Sequence, residues 1–135
     1  MTKNYIPSLR GWVIFLLGII FTSCEKEAGE GGNSSIKGYI HVKDYNISFL
    51  ILQAEYPGAN EDVYIIYGDD ISYGDRIQAS PDGTFEFKYL RKGKYKVYVY
   101  SDDTTASGQS VVVKEVEIAR KKMTVDAGTF EIKKN

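Results

Sequence analysis

From Ile36 to the end, the chain alternates apolar and polar residues with a period of two and is broken every few residues by Gly, Asp or Pro. A period of two is that of an extended strand with one face buried, whereas a helix needs apolar residues at three- and four-residue spacing. The segment IKGYIHVKD sets Ile36, Gly38, Ile40 and Val42 on one face and Lys37, Tyr39, His41 and Lys43 on the other. This pattern predicts the first strand of an all-β domain.

The later segments repeat the pattern. NISFLILQAEY is apolar from Phe49 to Leu52, which predicts a strand covered on both faces, ending at Pro57 and Gly58. EDVYIIYGDD sets Val63, Ile65 and Tyr67 against Tyr64 and Ile66, and a short strand is expected over Asp75 to Ala79. Asp82 and Gly83 make a hairpin signal before TFEFKYL, whose Phe85, Phe87 and Tyr89 should face inward. After a turn at Arg91, Lys92 and Gly93, KYKVYVYSDD directs Tyr95, Val97 and Val99 to the core and Lys96, Tyr98 and Tyr100 outward. The last pair supplies Val116, Ile118, Phe130 and Ile132. Seven or eight short strands with this spacing predict an antiparallel two-sheet sandwich over 35–135.

Ahead of the strands the composition changes twice. Residues 1–23 carry Lys3 and Arg10, then an uncharged apolar run from Trp12 to Phe21, the layout of a secretory signal helix. The run is shorter than the roughly 20 residues a spanning helix needs. Phe21, Thr22, Ser23 and Cys24 resemble a lipobox, which implies cleavage before Cys24 and a diacylglycerol on its sulfur. Two or three acyl chains at about 0.8 kcal/mol per buried methylene would hold the protein at the membrane. Cys24 is the only cysteine, so no internal disulfide can form. Residues 24–34, rich in Gly, Ser and acids, read as a flexible linker. Glu25, Glu27 and Glu30 are similar to the acidic segments of surface lipoproteins in the Bacteroidota, though a soluble spacer would look the same. The expected location is the cell envelope, at the outer membrane.

With Lys3 and Arg10 removed from 17 basic residues against 18 acids, the remaining chain carries a formal charge of −3. Both nucleic acid and anionic lipid are therefore argued against as natural partners, since each demands a clustered basic face. Arg120, Lys121 and Lys122 form too short a run to change that.

The stretch DGTFEFKYLRKGKYKVYVYS resembles the carboxypeptidase regulatory-like, or transthyretin-like, β-sandwich superfamily. The residues that carry the resemblance are Asp82, Gly83, Phe85, Phe87, Leu90, Gly93, Tyr95 and Val97. It implies the same sandwich, sometimes described as carbohydrate-binding-like, and no sugar-contact motif comes with it.

Candidate chemistry is sparse. His41, the only histidine, lies on a polar strand face, and no GxSxG elbow presents a serine nucleophile, so no enzyme is expected. Asp69 and Asp70 with Asp102 and Asp103 could hold calcium if the loops after the third and sixth strands met. No other cofactor is implied. Tyr39, Tyr98 and Tyr100, all outward, could anchor an envelope protein partner or stack on sugar rings. The expected function is a lipid-anchored, non-catalytic interaction or structural module, with glycan binding as the alternative.

Overall fold

A computed structural model describes residues 27–105 and 107–135. The leader and Cys24 lie outside the described residues, as does Ala106. Eight strands and no helix make up the rest. They are β1 (Glu30–Tyr45), β2 (Leu52–Pro57), β3 (Asp62–Tyr67), β4 (Asp75–Gln78), β5 (Thr84–Leu90), β6 (Gly93–Asp102), β7 (Gln109–Ile118) and β8 (Thr124–Lys134).

Two four-stranded sheets face each other. The first is built around β1, whose Ser35–Asp44 stretch pairs with β8. Since β8 fills one edge over that length, β5 beside Glu30–Tyr39 and β2 beside His41–Tyr45 share the other. The second sheet has the order β4-β3-β6-β7 and is antiparallel throughout. The first is not: β1 and β8 run parallel, with Ile40 beside Phe130 and Val42 beside Ile132. The reason is the connection. The turn after β7 carries the chain to the start of β1, where the Ser35 N–H donates to the Met123 carbonyl at 2.9 Å, so β8 can only follow β1 in its own direction.

The core is the sum of the inward positions. Ile36, Ile40, Val42, Val63, Ile65, Phe85, Phe87, Tyr95, Val97, Val99, Val116, Ile118, Phe130 and Ile132 are all buried. Each aliphatic of this size contributes about 1.5–3 kcal/mol on leaving water. Gly38, also inward, leaves room for the Phe85 ring: a methyl group on it would sit 2.5 Å from Phe85 Cζ. Phe85 in turn meets Phe130 edge to face at 5.6 Å.

Four local expectations are corrected. The apolar run after Asn46 is not a covered strand: Ile47, Leu50, Ile51 and Leu52 are exposed, and they cap a hairpin formed by the end of β1 and β2. Tyr89 does not face the core. It adopts a positive φ of 60°, which turns its side chain out and brings Leu90 in against the irregular start of β1. Asp82 and Gly83 make a corner between sheets and not a hairpin, because β4 and β5 belong to different sheets. Gly83 has φ 83°, and Asp82 Oδ1 accepts from the Thr84 N–H at 3.0 Å and from its hydroxyl at 2.6 Å.

The fourth correction concerns the linker. Glu30–Ser34 is the first part of β1, and the chain before it is pinned. The Arg91 N–H donates to the Gly29 carbonyl at 2.8 Å, and Arg91 Nε donates to the Glu27 carbonyl at 2.7 Å. Gly32 lies so close to β5 that a Cβ there would be 2.0 Å from the Leu90 oxygen.

Candidate functional site: an aromatic face on the second sheet

Along β6 the period of two sends Lys96, Tyr98 and Tyr100 away from the core. The register then decides their neighbours. Tyr64 of β3 stands opposite Tyr98, while Val113 and Val111 of β7 stand opposite Tyr98 and Tyr100. Arg76 of β4 stands opposite Tyr64, and Tyr73 reaches the group from the loop before β4.

The rings form one packed cluster. Tyr64 and Tyr98 stack with centroids 4.9 Å apart and planes at 7°. Tyr100 stands edge-on to Tyr64 at 5.5 Å and to Tyr98 at 5.8 Å. Tyr73 stands edge-on to Tyr64 at 5.0 Å. These are the offset and T-shaped arrangements that aromatic quadrupoles favour, each contributing about 0.5–1.5 kcal/mol beyond area burial. Tyr64 and Tyr98 are half-buried by their neighbours, whereas Tyr73, Tyr100, Val111 and Val113 remain 50%, 42%, 51% and 52% exposed. Burial first, then the neighbouring Tyr100 and Tyr64, raises the Tyr98 phenol above its usual range, so it keeps its proton and can donate. A hydrogen bond to Tyr64 similarly raises Arg76 and holds it charged beside the rings.

Tyr39 does not join this face. It lies on β1 in the other sheet, with its ring 6.4 Å from that of His41. His41 Nε2 is 3.2 Å from Glu55 Oε1 on β2. The two pairs of acids do not meet. Gly68, next to Asp69 and Asp70, donates to the carbonyl of Lys94 at the start of β6, while Asp102 and Asp103 follow from its far end. Eight residues of strand, about 27 Å, separate the two groups. Asp103 instead accepts from the Thr105 N–H at 2.9 Å and from its hydroxyl, closing its own turn. Among the described residues no three His, Cys, Asp or Glu side chains converge as a metal site.

Tyr64, Tyr73, Arg76, Val111 and Val113 are the members of the site that the outward row in the sequence does not include. Tyr64 is readable as outward on its own strand, but its meeting with Tyr98 depends on strand order and register. Tyr73 lies in a loop, where no periodicity marks its direction.

No family model matches the chain, and no curated protein matches it. Among solved structures it is similar to a protein of Pseudomonas aeruginosa described as "a putative carbohydrate binding protein", with 12% identity and a TM-score of 0.45, covering 79% of this chain and 92% of the other. A likeness of that degree carries no inference about ligand.

Proposed function

We propose that this chain is a non-catalytic interaction module of a bacterial cell envelope, anchored through lipid on Cys24 and engaging an envelope protein through the aromatic face. The observation that carries the reading is the cluster of Tyr64, Tyr73, Tyr98 and Tyr100 with exposed Val111 and Val113 beside it. Tyrosines held by one another cost little entropy to immobilise and supply large amphipathic area, which is why they concentrate at interface hot spots. Exposed valines opposite them extend the apolar patch in the way a protein partner would cover. The lipobox-like residues and the superfamily resemblance support an exported sandwich of this kind. The non-catalytic reading is supported by His41 paired to Glu55 on an outer face and by acids held apart by the length of β6.

Glycan binding is the second reading. What favours it is the half-exposed rings of Tyr73 and Tyr100 beside the Arg76 donors, a combination that stacks on a pyranose and bonds its hydroxyls. The test is capture of partners from native envelope with the full lipidated chain, alongside a glycan array. The protein-binding reading predicts a defined partner that is lost with Tyr100→Ser and Val113→Ser while the array stays silent. Glycan signal lost with Tyr100→Ser would replace it with the second reading.

A further inference from the structure

The start of the domain is fixed, and this bears on how the sandwich meets a membrane. The carbonyls of Glu27 and Gly29 are held by Arg91, and the Gly29 N–H donates to the Tyr95 hydroxyl at 2.9 Å. Between Cys24 and the first pinned residue stand only Glu25 and Lys26. Even fully extended, so few residues span on the order of 10 Å. A lipid on Cys24 would therefore hold one end of the sandwich directly at the bilayer surface.

That end is defined by what surrounds the pinned segment. A Cβ at Gly68 would touch Ala28 at 4.0 Å and one at Gly93 would meet Ala28 at 2.7 Å, so the turns after β3 and β5 lie here. The turn between β7 and β8 lies here too: Ser34 Oγ donates to the Arg120 carbonyl at 3.3 Å, and the Lys122 N–H donates to Asn33 Oδ1 at 3.0 Å. Two features of these turns match a headgroup layer. Ile71, in the turn after β3, projects wholly into solvent. Arg120, Lys121 and Lys122 are three consecutive exposed cations in the turn after β7. Asp69 and Asp70 precede Ile71 and Glu117 precedes the basic turn. The net charge of −3 argues against anionic lipid for the chain as a whole, and the attraction is local to Arg120–Lys122, where the acyl anchor would already hold this end at the headgroups.

We infer that this end is a lipid-contact surface, with Ile71 seated among the headgroups and Arg120, Lys121 and Lys122 on their phosphates, beside the acyl anchor. The inference rests on the anchoring reading and deepens it. It sets β1 upright, with the apolar hairpin tip at Ile47–Ile51 roughly 35 Å away from the bilayer, the length of the strand from Ser35 to Tyr45, because Glu30 and Ser34 both lie beside Leu90. The aromatic face then points sideways, open to partners in the same membrane.

The experiment uses the full chain, processed in cells and reconstituted in vesicles of phosphatidylethanolamine and phosphatidylglycerol. With Cys24 acylated there is no other thiol, so Ile71→Cys or Leu50→Cys takes a single environment-sensitive fluorophore. Both positions are exposed, and far-UV circular dichroism checks that each variant keeps its sheet signal. The expected result is a blue-shifted emission at position 71, quenched by lipid-borne nitroxide, and an aqueous emission at position 50. Arg120→Gln, Lys121→Gln and Lys122→Gln together should reduce the quenching at 71 several-fold. An aqueous emission at 71, or immersion of position 50, would overturn the inference. Mass spectrometry of the N-terminal peptide separates the two levels: an acylated Cys24 with position 71 in water sinks only this inference, whereas an unmodified Cys24 sinks the anchoring reading with it.

Discussion

The hydroxyl of Tyr95 lies inside the sandwich, where it accepts from the Gly29 N–H and donates to the Arg91 carbonyl. A phenylalanine would fill the same space and leave those two backbone groups without a partner. Tyr95→Phe should therefore destabilise the domain by about 1–3 kcal/mol in urea unfolding, the cost of buried polar groups left unpaired. A result near zero would mean that water replaces the hydroxyl and that the N-terminal clamp is loose. Asp82 offers a second check. Its carboxylate accepts from the hydroxyl and the N–H of Thr84, and those bonds lower its pKa below the usual carboxylate range. A depressed folded pKa gives stability that is present above the unfolded value near ~3.9 and is lost as pH falls through the folded value. Between pH 5 and 2.5 the melting temperature of the natural chain should fall more steeply than that of Asp82→Asn; equal slopes would show that the turn does not depend on the charge. The inward residues of β1, β3, β6 and β8 were legible in the sequence because alternation reports burial directly. Tyr89 was not, because one residue of positive φ shifts the alternation and nothing in its side chain announces it.

The hairpin that joins β1 to β2 separates hydrophobicity from burial. Ile47 and Leu50 are 89% and 83% exposed, although the run that contains them reads as the most apolar strand in the chain. A short apolar run has the same composition whether a second sheet covers it or not, and only the reach of that sheet decides. Leu50→Ser should then change stability by no more than about 0.5 kcal/mol, as surface substitutions do. Phe130→Ala, in the middle of β8 against Phe85, should cost about 3–5 kcal/mol. Similar costs for the two in chemical denaturation would mean that the tip is buried in solution by self-association. The first five residues of β1 were illegible for the opposite reason. Glu30–Ser34 has no apolar residue to bury, yet backbone bonding needs none, and Gly32 fits beside Leu90 because it lacks a side chain.

At the scale of the molecule, the described residues leave the hairpin tip and the aromatic face exposed as apolar surfaces, besides the lone Ile71. The outward tyrosines of β6 were legible, but their assembly with Tyr64 and Tyr73 depends on β3 lying beside β6, which no local pattern encodes. Strand order likewise puts Tyr39, on β1, in the other sheet, and the length of β6 keeps the acid pairs apart. A face built by four separate segments and left exposed is the central element of the proposed function. The most direct test is photo-crosslinking in living cells, with benzoylphenylalanine replacing Val113 on the aromatic face or Thr129 on the outer face of the first sheet. Discrete protein adducts from position 113 and none from position 129 would support the aromatic face as the docking surface. Adducts from position 129 alone would contradict it.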